Sequence, residues 1–278
     1  MSTAIKLLAY IFITIFAIVL LLPISWMILG AFKTIEASNQ IPPEILPEKW
    51  VLSNFADLFK YPVLKWTLNS LFVATVSALT VTLVSTMAGY AFAKKKLRFK
   101  EPIFWLLLSS IMIPGTATLI PMFVLLKQIG LLDSLFGLIL PLSFSIVYIY
   151  FFRQYAQDIP DDYLHSAEID GAGELQKFFR IIIPLSKPAV MTMAILTFVG
   201  SWNNFILPLM ILFSEDKFTL PLGIQQVFYN DQMHRHEALP NYALMQAAGV
   251  YMLFPMLIVF TLGHKYFVKG LWGGGIKE

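Results

Sequence analysis

The chain has 278 residues, 58% hydrophobic and only 13% charged, with a net charge of +3 and a mean hydropathy of +0.71. A soluble domain of ordinary composition is nearer half apolar and about a quarter charged, so this chain lacks the charge to clothe a soluble core of its size. The small net charge gives no support to nucleic-acid binding, and the absence of cysteine removes disulfides, thiolate metal sites and cysteine nucleophiles together.

Six runs carry no Asp, Glu, Lys or Arg: Leu7–Phe32, Trp66–Ala93, Pro102–Leu126, Ser134–Phe152, Pro188–Ser214 and Ala238–His264. A hydrocarbon layer about 30 Å thick takes about 20 helical residues to cross, and each run is near or above that length. Lipid offers no partner to an open strand edge, and barrel strands alternate instead of running apolar throughout, so the spans are predicted to be helices. The first run is too long for a signal-peptide core and no small-residue cleavage pattern follows Leu22, which makes it a retained helix. The expected fold is all-α and polytopic, with six transmembrane helices: residues 1–65 form the first helix and an outer loop, and 66–278 the core. Pro23, Pro114, Pro121, Pro141, Pro208 and Pro255 fall inside spans, where they are compatible with kinks.

With the N-terminus inside, roughly two thirds of the Lys and Arg residues fall on one side, including Lys94, Lys95, Lys96, Arg98 and Lys100. Both termini are therefore predicted to be cytoplasmic, with the 94–100 run acting as a topology signal. No ionisable side chain sits deep in a span, which disfavours coupling to an ion gradient. No phosphate-binding loop occurs, since Gly273–Gly275 leads into Ile276, Lys277 and Glu278, so the chain is not expected to hydrolyse ATP. His234 and His236, with Asp231 and Glu237 nearby, lack a recognised ligand spacing, and no nucleophile and base are brought together; neither a metal site nor a catalytic residue is expected.

Between spans four and five lies Asp158–Pro188, on the predicted inner side. Pro160, Asp161 and Asp162 start a helix, with acids at its positive end. Tyr163, Leu164 and Ala167 give it an apolar stripe, and Gly171 breaks it. A second helix from near Gly173 places Leu175, Phe178, Phe179 and Ile182 on one face, and Pro184 ends or bends it. Such a pair reads either as a knob that docks into a partner or as interfacial helices lying flat on lipid.

Asp170-Gly171-Ala172, then Phe178, Ile182 and Pro184-Leu185-Ser186-Lys187-Pro188, resembles the Glu-Ala-Ala loop of ABC-importer permeases, and more narrowly the MalG-like subunit of the maltose-type carbohydrate permeases. Leu68-Asn69-Ser70-Leu71, Met112-Ile113-Pro114, Ile120-Pro121, Gly130-Leu131-Leu132, Phe151-Phe152-Arg153-Gln154 and Trp202-Asn203 extend the likeness from about Asn69 to the C-terminus. The resemblance implies the type I importer (MetI-like) permease fold in a bacterial or archaeal cell membrane, with the loop as a coupling helix. His165, Ser166, Ala167, Glu168, Asp170, Gly171 and Ala172 would then meet the ATPase. His165 stands where the family typically has its motif glutamate, with Glu168 one turn away as a substitute.

The implied partners are a second, related permease subunit, two ATP-binding subunits that hold ATP and Mg, and an extracytoplasmic solute-binding protein, with lipid around the spans. The implied work is import of a sugar or oligosaccharide by alternating access. Trp202, Asn203 and Asn204, in mid-span five, read either as lining of a sugar path or as helix–helix hydrogen bonding. The outer loops Lys33–Lys65 and Glu215–Glu237 read as a docking surface for the binding protein or as solvated connectors. Two alternatives stay open: the same architecture for glycerol phosphate or another polar solute, and a membrane enzyme or scaffold.

Overall fold

The structure is a computed structural model that describes residues 3–96, 98–226 and 240–272; His234 and His236 lie outside the described residues. Every regular element among those residues is helical. Among the described residues three helices are long and apolar enough to cross a membrane alone, and up to six spans result if each of three bent pairs counts as one. The chain divides into two compact units, residues 1–64 with 223–255, and residues 65–222 with 256–278.

In the first unit, α1 (Thr3–Gly30) continues through Pro23 with none of its most apolar window buried. Only its C-terminal end is covered, where Gly30 and Gly249 let α15 (Tyr242–Trp272) approach. A Cβ at Gly30 would lie 1.7 Å from Gln246 Oε1, and one at Gly249 would lie 2.7 Å from Met27 Sδ. The loop that follows folds on itself. Thr34 caps α2 (Ile35–Ser38), its hydroxyl accepting from Ala37 N at 3.2 Å. From within α3 (Ser53–Leu58), the Asn54 amide donates to the carbonyls of Ala31 and Lys33 at 2.9 Å each.

The second unit is built on α4 (Val63–Lys94), where 44% of the most apolar window is buried. Span three is α5 (Lys100–Ser109) and α6 (Leu119–Gln128), joined through 3-10 turns and bent by 96° at Ile113-Pro114. Span four is α7 (Leu135–Leu142) and α8 (Ile146–Gln157), bent by 44°. After α9 (Asp162–Ile169) and α10 (Glu174–Lys177), a π-helical turn over Phe178–Ile182 runs into α11 (Ile183–Leu185). An 83° bend at buried Ser186 then opens α12 (Lys187–Trp202).

Two apolar cores hold the ends of this unit. Val73, Leu126, Leu138, Leu207, Ile211 and Leu222 pack at one end, around α13 (Ile206–Ile211) and α14 (residues 220–226). Tyr90, Phe152, Ala156, Leu164, Phe178, Ile182 and Met193 pack at the other, so α4, α8, α9, the π turn and α12 share one core. The charge-free run Pro188–Ser214 predicts one unbroken helix for span five. It is instead interrupted at Asn203–Phe205, between α12 and α13. Non-helical backbone at membrane depth persists only where protein buries it or a cavity hydrates it.

Candidate functional site

The segment 158–188 forms a helical elbow. Helix α9 ends in a Schellman turn: Ala172 N donates to Ala167 O at 2.8 Å and Gly171 N to Glu168 O at 3.0 Å. Such a turn requires a left-handed residue directly after the C-cap, and Gly171 has φ +76°. The next helix starts at Gly173, whose N–H donates to the Gln176 side chain at 3.2 Å.

The apolar face differs from the one expected. Leu164, Phe178 and Ile182 are buried, whereas Tyr163, Leu175 and Phe179 are exposed. The wider π turn moves the register, so that Phe178 and Ile182 fall beneath the elbow together with the stem of Lys177. Lys177 is only 3% exposed and braces the two arms, reaching Glu168 at 2.7 Å and Glu174 at 2.6 Å. The Lys177 ammonium, helped by Lys95, holds the Glu174 carboxyl down at about 2. Glu168 is likewise lowered, mainly by Lys177, and Lys177 is raised, mainly by Glu168. Glu168, expected as a substitute for the motif glutamate, is paired with Lys177 within the elbow, with His165 Nδ1 3.7 Å from its other oxygen.

The expected residues sort onto two sides. His165, Ser166, Glu168, Asp170 and Gly171 are exposed around the tip, while Ala167 and Ala172 are half-buried at the turn. Sequence reading missed Ile169, which is 87% exposed at the same tip. The available signal was an isoleucine outside the Tyr163–Leu164–Ala167 stripe in an otherwise polar stretch. It also missed the contacts that Tyr90 and Lys94 of α4, and Lys95 just beyond it, make with the elbow. Nothing stands within 4 Å of a Cβ built at Gly171, so the tip is open.

Trp202, Asn203 and Asn204 sit at the interruption of span five. The Trp202 ring is 1% exposed and stacks on Phe198 at 6.2 Å, with its indole N–H unpartnered. The Asn203 amide, exposed, donates to Val199 O at 3.0 Å, and Asn204 Oδ1 accepts from Leu207 N at 3.3 Å. Asn204 therefore satisfies an N–H that the break frees at the start of α13, whereas the Asn203 amide adds a second donor to Val199 O, which already accepts from Asn203 N at 3.1 Å.

At the opposite end of the unit, Asp133 closes a clasp. Its carboxylate accepts from Phe213 N at 2.9 Å, Ser214 N at 3.0 Å, Ser214 Oγ at 2.5 Å and Lys217 Nζ at 2.9 Å. The Ser214 hydroxyl first, then Lys217 and the two amides, hold its carboxyl well below the usual range.

Comparison with known proteins agrees with this architecture. Residues 82–273 match the family described as "Binding-protein-dependent transport system inner membrane component". The chain is 35% identical over 272 residues to the arabinooligosaccharides transport system permease protein AraQ of Bacillus subtilis (strain 168), covering 96% of this chain and 94% of that protein. It is 29% identical over 254 residues to the lactose transport system permease protein LacG of Rhizobium radiobacter, covering 90% and 89%. A solved structure of a bacterial ABC transporter involved in alginate import superposes with a TM-score of 0.84 at 22% identity, over 96% of this chain and 99% of that one, which shows a shared fold. The chain therefore belongs to the inner membrane components of binding-protein-dependent transport systems, as a multi-pass permease subunit with the importer-permease fold.

Proposed function

We propose that this permease forms half of the path by which an ATP-driven importer takes up a sugar or oligosaccharide delivered by an extracytoplasmic binding protein. Relatives with 35%, 34% and 29% identity are named for arabinooligosaccharide and lactose transport, which supports a carbohydrate cargo. The observation that carries the coupling role is the elbow. It is a closed, internally braced unit with an open tip of His165, Ser166, Ile169, Asp170 and Gly171, built over a core shared with three membrane helices.

In this reading the elbow and both termini are cytoplasmic, and the tip docks on one of two ATP-binding subunits. ATP and Mg bind there, not in this chain. A related second permease supplies the other half of the path. Closure of the ATPases on ATP pushes the elbow, and the 83° bend at Ser186 turns that push into a tilt of α12. A full exchange of inward- and outward-facing populations takes about 5.5 kcal/mol of differential binding. A braced elbow delivers such a load, whereas a flexible loop dissipates it. At the far end of α12, Asn203 carries the exposed amide and is proposed to face the cargo, while Trp202 and Asn204 shape the break.

The test is purification of the complex in mild detergent, reconstitution, and measurement of ATP hydrolysis and labelled-sugar uptake with the binding protein. Hydrolysis and uptake stimulated by an oligosaccharide support the reading. A complex that lacks an ATPase, or that responds to glycerol phosphate and to no sugar, refutes it.

A further inference from the structure

Lys94 and Lys95 open a basic run that sequence reading explains as a topology signal, a role that asks only for charge near the membrane surface. Their surroundings show more than that. The Lys94 side chain is 8% exposed, and its ammonium donates to Ile159 O at 2.5 Å and Asp161 Oδ1 at 2.7 Å, with Gln157 O at 3.4 Å. It thus closes the C-terminal end of α8 and holds the residue that starts α9. Lys95, the next residue, pairs with Glu174 in the first turn of α10 and lies 5.1 Å from the centre of the Tyr90 ring. Tyr90 adds a third point of attachment. Its hydroxyl is 3.4 Å from Glu174 Oε2, and its ring is 5.8 Å from that of Phe178.

We propose that Lys94 and Lys95 are positioning residues that fasten the elbow to span two, so that residues 161–182 and the end of α4 move as one body. Attachments to the start of α9, the first turn of α10 and the π turn are three separate points, enough to remove rotation as well as separation. Lys177 completes the frame by tying α9 to α10 from within. A push on the tip therefore reaches α4 directly, and not only α12 through the bend at Ser186. The inference rests on the coupling role proposed above.

The chain has no cysteine, which allows a clean test. Lys95→Cys and Glu174→Cys are introduced together in the full reconstituted complex and joined with a short, reducible bis-methanethiosulfonate. Before bridging, sugar moved per ATP falls tenfold or more, since about tenfold goes with each charge-assisted contact of ordinary strength and Glu174→Cys gives up its contacts with Lys177 and Tyr90 as well as with Lys95. Bridging restores it, and reduction removes it again; Lys95→Arg retains the parental ratio. Transport that stops on bridging shows that the elbow moves relative to α4 and overturns the proposal. So does a pair that cannot be bridged, or an unbridged variant as efficient as the parent. A pure topology role predicts that bridging leaves the ratio where the unbridged variant set it, because Lys94, Lys96, Arg98 and Lys100 still mark the inner side, and that result also overturns the proposal. Gly171→Trp in the same preparation separates the two claims: if it leaves coupling intact, the docking role fails, whatever the bridge does.

Discussion

Gly171 offers the sharpest separation between a structural and a docking role for the elbow. Its φ of +76° costs any residue with a Cβ roughly 1–2 kcal/mol, and asparagine less. That backbone cost is nearly the same for alanine and for tryptophan. A Cβ at 171 meets nothing within 4 Å, so added bulk brings no clash inside this chain. Any difference between Gly171→Ala and Gly171→Trp therefore reports what lies outside the chain. If the tip sits in a socket, strain of about 1–2 kcal/mol leaves most of the roughly 5.5 kcal/mol needed to exchange the two states, whereas an indole in the socket leaves none of it. The assay is sugar uptake and binding-protein-stimulated ATP hydrolysis in proteoliposomes, with assembly checked by co-elution. Gly171→Asn is expected to work nearly as the parent, Gly171→Ala with reduced efficiency, and Gly171→Trp to fold in the membrane but not couple. Equal behaviour of the alanine and tryptophan variants would refute the docking argument, because only strain would then be at work.

Other residues give independent expectations. Lys177→Met leaves Glu168 and Glu174 without their shared cation, so the elbow loosens: proteolysis within 158–188 accelerates and sugar moved per ATP falls severalfold. Asp133→Asn removes the charge that Lys217 and Ser214 hold, costing about 1–3 kcal/mol of thermal stability at neutral pH. The Asp133 carboxyl titrates lower folded than unfolded, so its contribution is complete above the ordinary carboxylate range and is lost as pH falls below about 4. The gap in melting temperature between parent and Asp133→Asn is thus constant from neutral to mildly acidic pH and narrows below that; a gap that widens on acidification would contradict the clasp. Asn203→Ala is expected to change sugar preference or apparent affinity with little effect on assembly, whereas Trp202→Ala, which empties a buried site, lowers the yield of assembled complex.

Much of this architecture was legible in the sequence, because a charge-free run of about 20 residues has few other uses. The unbroken spans α1 and α4 coincide closely with the runs Leu7–Phe32 and Trp66–Ala93. The breaks were not legible. Pro23 and Pro255 lie within continuous helices, while Pro114 sits at a 96° bend and Pro141 directly before the 44° break of span four. Neighbouring helices decide whether a freed carbonyl is satisfied in place. The elbow was readable in outline, since Gly171 announces the left-handed turn and Gly173 the second start. Its buried face was not, because one π turn shifts the register by about a residue and exchanges Leu175 for Lys177. The clamp from Lys94 and Lys95 joins residues far apart in sequence and depends on where α8 and α9 end, so a run of like charges showed only its simplest role.

The decisive observation concerns what the tip of the elbow touches in the working complex. A photoreactive amino acid placed at Ile169, 87% exposed and beside the Gly171 turn, reports this directly on illumination. Docking predicts a covalent adduct with the ATP-binding subunit whose yield changes when ATP is added. Adducts with lipid alone, unchanged by nucleotide, would mean that the elbow lies flat on the membrane and that force reaches this permease by another route.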